Sequence, residues 1–189
     1  MEIGRLEFSA ITNTDCLSSF KCGIDEMDDY IHHKLHNSIN ARFCKAFSVS
    51  LDGKIVAFFA LNFDSLELDY QEAYDVIHRD ENPIDINLEF EEAFKDKHSY
   101  PALEISFLAV CEKFHCKHIG TRIIDEIIRM AKHQTLAGCQ FITVMAYDPN
   151  PEDSAVGFYQ KIGFSVLGRR NKDTVRMYKP VFVYTEDDY

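Results

Sequence analysis

The spacing of apolar residues changes several times along this chain, and each change marks an element. Leu103-Glu-Ile-Ser-Phe-Leu-Ala-Val110 is a short, nearly all-apolar run, the pattern of a strand covered on both faces. From Ile119 the period switches to that of a helix, with Ile119, Ile123, Ile124, Ile127 and Ile128 on one side. Cys111-Glu-Lys-Phe-His-Cys-Lys-His-Ile-Gly120 lies between them, so the stretch reads as strand, loop and helix. Upstream, Met27, Tyr30, Ile31, Leu35 and Ile39 make one helical stripe, with Asp25 as the expected cap. Residues 43–51 and 54–63 are two β-prone runs joined by Asp52-Gly53, a dipeptide suited to the positive backbone angles of a two-residue hairpin turn.

Beyond the central helix, Gly138 is expected to end it and residues 140–147 to form another strand. Asp148-Pro-Asn-Pro151 turns the chain. A short helix over 154–161 is stopped by Ile162-Gly163, and strands over 164–167 and 174–178 flank a polar turn at 168–173. Strands and helices alternate only in the middle, which predicts an α/β (α+β) fold with a mixed sheet and helices on both faces. The segment 64–100 differs: twelve Asp and Glu face only Arg79, Lys95 and Lys97. It reads as an acidic helical insertion, with helical spacing at Tyr70, Ala73, Tyr74 and Ile77 and again at Leu88, Glu91, Glu92 and Lys95, broken at Asn82-Pro83. Two roles fit it, a solvated face or a docking site for a basic substrate.

At 189 residues and 46% hydrophobic content, one well-buried domain over residues 1–180 is expected, with a C-terminal tail at 181–189 that frays over 186–189. The longest apolar run, residues 55–61, is far short of a membrane span, and the start of the chain lacks the pattern of a secretory signal, so a cytoplasmic protein is expected. Six scattered cysteines favour reduced thiols. A net charge of -11 argues against a general nucleic-acid binder and for cationic partners. Within residues 111–122 the sign reverses, with Lys113, Lys117 and Arg122 against Glu112. A basic loop entering a helix suits a polyanionic ligand, because the helix start offers free N–H groups and partial positive charge. An ordinary strand-to-helix turn with solvated lysines is the alternative.

Two motifs at matching separation settle on a family. Phe-Leu-Ala-Val110 followed by Lys113-Phe-His-Cys-Lys-His-Ile-Gly120 resembles the acetyl-CoA motif of the GCN5-related N-acetyltransferases (GNAT), where a Gln/Arg-x-x-Gly-x-Gly/Ala loop wraps the pyrophosphate. Ala155-Val-Gly-Phe-Tyr-Gln-Lys-Ile-Gly-Phe164 is similar to the family's later helix and strand. The resemblance spans nearly the whole chain and implies the GNAT fold, a central splayed mixed sheet flanked by helices, with acetyl-CoA as co-substrate. It makes Leu108, Ala109 and Val110 the pantetheine rail, their N–H groups facing the carbonyl oxygen as charge develops. His115, Cys116, Lys117, His118, Ile119, Gly120 and Thr121 become the pyrophosphate loop. His115 then stands at the Gln/Arg position and His118 at the first glycine, where a side chain is expected either to crowd the ligand or to reach over the phosphates. Cys111, His115, Cys116 and His118 are all possible zinc ligands, but the spacing is poor and no second cluster exists, so no metal is expected.

Acyl transfer to an amine needs a proton acceptor. A lysine-like amine is neutral only about once in 10³ at pH 7, a cost of roughly 4 to 5 kcal/mol. Glu104, a carboxylate in an otherwise apolar strand, is the candidate base, and burial there is expected to raise its pKa. The echo of an Ala-Glu-Ile-x-Phe-x-Ala strand in Leu103-Glu-Ile-Ser-Phe-Leu-Ala109 implies the same role; a Glu paired with a basic neighbour is the plainer reading. By resemblance Tyr159 is the acid that protonates the departing thiolate, against the alternative of a core aromatic.

Phe20-Lys-Cys-Gly-Ile-Asp-Glu-Met-Asp-Asp-Tyr-Ile31 resembles the Phe-x-Cys-Gly-x-x-x-Leu-Asp-x-Phe-Leu opening of bacterial toxin-type acetyltransferases, which act on aminoacyl-tRNA. Against that activity stand the acidic surface and Phe107, where those toxins usually carry Arg. The expected function is transfer of acetyl from acetyl-CoA to a small-molecule or peptide primary amine. The alternatives are toxin-type action on charged tRNA and a non-catalytic CoA-binding regulatory module. A homodimer through Phe182, Val183 and Tyr184 is a further expectation.

Overall fold

The computed structural model describes residues 4–78 and 88–181. The expected break at Asn82-Pro83, the tail and the proposed dimer residues Phe182, Val183 and Tyr184 lie outside them. Seven strands join one sheet in the order β1-β2-β3-β4-β5-β7-β6, formed by β1 (Leu6–Ala10), β2 (Lys45–Leu51), β3 (Lys54–Glu67), β4 (Ser99–Val110), β5 (Phe141–Tyr147), β6 (Ser165–Asn171) and β7 (Thr174–Pro180). The helices are α1 (Asp25–His33), α2 (Leu35–Asn40), α3 (Tyr70–Ile77), α4 (Leu88–Lys95), α5 (Ile119–His133) and α6 (Val156–Lys161). β1-β2-β3 pair antiparallel, as do β5-β7-β6. The neighbours β4 and β5 are joined through α5, a crossover of the kind that returns the chain to a parallel strand and makes the sheet mixed.

Two compact units emerge, Met1–Asn62 with Ile105–Ile127, and Phe63–Glu104 with Ile128–Tyr189. In the first, Leu17, Phe20, Cys22, Ile31, Leu35, Phe58 and Ala109 share one core. The expected hairpin closes it: Leu51 opposes Lys54, and Asp52 and Gly53 have φ of 50° and 75°. The single helix expected from the stripe is two. Lys34, at φ -120°, ends α1 and begins α2, yet Ile31 and Leu35 stay buried and Met27, Tyr30 and Ile39 pack against the same core. Asp25 is the first helical residue and not the cap; Ile24 holds that place with no side-chain bond.

The second unit is built around Leu66, Leu68, Phe94, Tyr100, Phe141 and Tyr178. Here the insertion is shorter than its composition implies. β3 runs on to Glu67 and β4 starts at Ser99, because Leu66, Leu68, Tyr100 and Ala102 are buried and alternate with the acidic and polar positions. α3 and α4 lie where the spacing predicts, and α3 opens on a capping box between Asp69 and Glu72. α5 stops at His133, before Gly138, since the Gln134 side chain takes the N–H groups of Leu136 and Ala137 at 3.2 Å each and donates to the Ala137 carbonyl. The polar turn near the end is only Lys172-Asp173: β6 continues through Asn171, with shifts of register at Val166/Gly168 and Arg169/Asn171.

Candidate active site

The rail and loop lie in the first unit. β4 carries Leu108, Ala109 and Val110 to its end, Ala109 buried and the other two half-buried. The Cys111 N–H donates to the Val56 carbonyl of β3 at 2.8 Å, which holds the strand end in place. A 3-10 turn, Glu112–Phe114, follows. Cys116 and His118 then adopt φ of 59° and 56°. This is the left-handed region that glycine enters freely and other residues enter at a cost of about 1 kcal/mol or more. The backbone at His118 thus has the conformation that the motif's glycine would supply, and its side chain is exposed. The His118 carbonyl accepts the Arg122 N–H at 3.2 Å and opens α5.

That opening presents what a phosphate needs. Among the described residues no partner takes up the N–H groups of Ile119, Gly120 or Thr121. Of the three cations counted in the sequence, Lys117 lies 4.7 Å over the Phe114 ring and Arg122 donates to the Gly4 carbonyl at 3.0 Å, while Lys113 has no such partner among the described residues. The His115 Nε2 is bonded to the Val110 carbonyl at 2.9 Å, so its other ring nitrogen is the one left to face a ligand. These features fit the pyrophosphate of CoA. Among the described residues no three His, Cys, Asp or Glu converge on a metal site.

Glu104 and Tyr159 lie in the second unit. Glu104 is half-buried on β4, less enclosed than an apolar strand suggested. Tyr159 sits on α6, a helix ended by Gly163 at φ 86°. Its ring is 5% exposed and makes edge contacts with Phe158 and Phe164 at centroid distances of 5.0 and 5.2 Å. Burial pushes the phenol well above its ordinary pKa, so it stays protonated through the physiological range. Among the described residues no hydrogen bond claims its hydroxyl.

The opening motif receives a structural role that its letters did not announce. The Asp28 carboxylate accepts the N–H of Cys22 at 2.8 Å and of Gly23 at 3.4 Å, and His32 Nε2 bonds the Phe20 carbonyl at 3.0 Å. Gly23 needs its identity, with φ 87°. Burial works to raise the Asp28 pKa, but the bonds from Cys22 and Gly23 outweigh it and hold the carboxyl below the usual range. A depressed folded-state pKa gives stability that is present above the unfolded value near 4 and is lost as pH falls through the folded one. Acid unfolding of Asp28→Asn is therefore expected to be less steep than that of the parent chain below about pH 4, as measured by circular dichroism. Phe107 stacks on Tyr30 of α1 at 3.9 Å and 12°, and the Tyr30 hydroxyl donates to Ser38 Oγ at 2.8 Å.

Comparison with known proteins agrees with this geometry. No curated protein sequence matches the chain. Among solved structures it is similar to the toxin AtaT complexed with acetyl-methionyl-tRNAfMet, at 15% identity and TM-score 0.67 over 94% of this chain and 96% of that one. A tyrosine-to-phenylalanine mutant of KacT gives 14% identity and TM-score 0.68 over 95% and 96%. A mutant AtaT of the same kind, bound to acetyl-CoA and to the C-terminus of the antitoxin AtaR, gives 14% and 0.66 over 94% of each chain. These likenesses share the fold. The model of the acetyltransferase (GNAT) family matches residues 9–164, most of the chain, and with the loop and helix just described it places this protein in the GNAT acetyltransferase family, whose co-substrate is acetyl-CoA.

Proposed function

We propose that the chain acetylates a primary amine of a small molecule or peptide by direct attack, with Glu104 as general base and Tyr159 as general acid. Acetyl-CoA supplies the acetyl thioester. Residues 115–121 hold its pyrophosphate, chiefly through the N–H groups that open α5, and Leu108, Ala109 and Val110 line its pantetheine arm. Glu104 accepts the proton of the acceptor ammonium, which frees the lone pair that forms the new C–N bond. As the C–S bond breaks, Tyr159 directs its proton to the departing sulfur. The observation that carries the reading is the left-handed, basic loop delivering three N–H groups unclaimed among the described residues at the start of α5.

Glu104→Gln is expected to lower turnover at least tenfold, within the range of general base catalysis, while acetyl-CoA affinity holds. Steady-state kinetics across pH test it, and an unchanged pH–rate profile would remove Glu104 from the mechanism. The acceptor class is tested by thiol release from acetyl-CoA with polyamines, aminoglycosides, lysine-rich peptides and charged tRNA. Release with a small or peptide amine is expected. CoA binding without release to any acceptor would make the chain a regulatory module.

Aminoacyl-tRNA is the second reading, favoured by the Phe20-to-Ile31 opening and by the AtaT likeness. Two features weigh against it: the charge of -11, which repels a polyanion, and the Tyr30–Phe107 stack where toxin-type relatives usually carry arginine. Salt-sensitive release with charged tRNA alone would reverse that choice.

A further inference from the structure

We infer that Asp28 is a positioning residue for the loop at residues 115–121, acting through the turn at residues 20–23. The inference rests on the reading of that loop as the pyrophosphate site. Three links connect them, all within the first unit. Asp28 holds the Cys22 and Gly23 N–H groups with its two carboxylate oxygens. The turn so fixed presents the Lys21 carbonyl, which accepts the Glu112 N–H at 3.2 Å. Turn and loop also run close together: a Cβ placed on Gly23 would lie 3.5 Å from Glu112 Oε2 and 3.7 Å from its Cβ. Glu112 is the first residue of the 3-10 turn that leads into His115, and the Glu112 carbonyl accepts the His115 N–H at 3.3 Å.

The physical need for such a brace is visible in the loop itself. Cys116 and His118 both hold left-handed backbone without being glycine, and Cys116, Lys117 and His118 are all exposed. Neither packing nor glycine freedom keeps this conformation, so its anchors at either end must. One end is α5. The other is Glu112, where the bond to Lys21, with Asp28 behind it, adds to the Cys111–Val56 and His115–Val110 bonds. Phe20 buries its ring edge-on against Phe58 at 5.8 Å, and Cys22 is 3% exposed, so the turn is anchored in the core. The Asp of the opening motif thereby reaches the cofactor loop without touching the ligand.

Two substitutions test the brace at separate links. Asp28→Asn keeps the shape but turns an amide NH₂ toward one of the two N–H donors. Glu112→Pro deletes the donor to Lys21 and nothing of Asp28; proline is tolerated there because Glu112 opens a 3-10 turn and Cys111, at φ -55° and ψ 135°, has the backbone a residue before proline prefers. Hydrogen exchange on the ligand-free protein is expected to rise at least fivefold in a peptide covering residues 111–120 for both variants, with the segment 141–147 unchanged. The double variant should exchange no faster than Glu112→Pro alone, since both act through one bond. Titration calorimetry should show the acetyl-CoA Kd raised at least threefold, with kcat at saturation kept. Unchanged exchange at 111–120, or an equal rise at 141–147, would overturn the brace, as would faster exchange with an unaltered Kd. A parent chain that binds no acetyl-CoA would instead refute the reading of the loop, while the exchange data still decide the brace.

Discussion

Replacing Tyr159 by phenylalanine is expected to lower turnover by about 10²-fold or more, the lower range of what a positioned acid contributes, with the fold and the acetyl-CoA affinity intact. The fold should survive because the ring does the packing. Its edge contacts with Phe158 and Phe164 are those a phenylalanine also makes, and no hydrogen bond of the described residues is lost with the hydroxyl. Single-turnover and steady-state rates with the acceptor identified in the thiol-release panel provide the measurement, with the melting temperature as control. A fully active Tyr159→Phe chain would return Tyr159 to the core. The raised phenol pKa adds a second observable. In the unfolded chain the phenol ionises near pH 10, whereas in the folded chain it keeps its proton beyond that, so its contribution to stability is full below pH 10 and falls as pH rises past it. Tyr159→Phe should therefore flatten the alkaline decline of stability. The same shift bears on mechanism. A phenol this reluctant to ionise stays available as a donor at every working pH, and its work is to hold a proton against a sulfur whose charge grows as the C–S bond breaks.

Asp64→Ala is expected to destabilise the chain by about 3 kcal/mol or more, the range for leaving one member of a buried ion pair unpartnered. Asp64 Oδ2 accepts from Arg176 Nη2 at 2.7 Å and from the Thr143 hydroxyl at 2.6 Å, and Arg176 also donates to the Ser65 carbonyl at 2.9 Å. The two side chains are 10% and 20% exposed, so removing Asp64 strands a guanidinium that water cannot reach well. Its Nε already lacks a partner. The double change of Asp64→Leu with Arg176→Met should recover most of the loss, because the cost lies in an unpaired buried charge and not in the absence of an attraction. Urea unfolding of the three variants measures this; equal losses for the single and double variants would show that the pair itself supplies net stability.

Asp64 also marks where letters and fold part company. In the sequence it begins an acidic insertion, one of twelve carboxylates between residues 64 and 100. In the structure it belongs to β3 and binds an arginine 112 positions away in β7. Composition counts charges but does not know which of them a distant strand will enclose. The boundary error at the other end has the same origin: Tyr100 and Ala102 are buried by the second core, which extends β4 four residues upstream of Leu103.

Local rules decided the rest. The Asp52-Gly53 hairpin, the helical period from Ile119, the stop at Gly163 and the strand over Phe141–Tyr147 need only neighbours within a few residues, and all of them stand as the spacing predicts. The family was legible for a related reason. A short loop between strand and helix, and a helix that feeds a strand through Gly-Phe, leave contiguous letters. What the letters withheld was the purpose of the opening motif. Phe20, Cys22, Gly23 and Asp28 are written as a signature of toxin-type relatives, but their bonds make them a turn, with Asp28 holding two N–H groups and Lys21 meeting Glu112 some ninety residues later.

By itself the sequence determined most of the elements, the strand, loop and helix around residues 103–133 and the acetyltransferase family, since each depends on short-range periodicity or on backbone chemistry confined to a few adjacent residues. Only the tertiary structure decided which charges are solvated and which are enclosed, that Glu104 is half-buried while Tyr159 is sealed, and that His118 bends where a glycine would. Burial and long-range hydrogen bonds join residues that share no stretch of chain, and a pKa follows the surroundings of a group and not its letter.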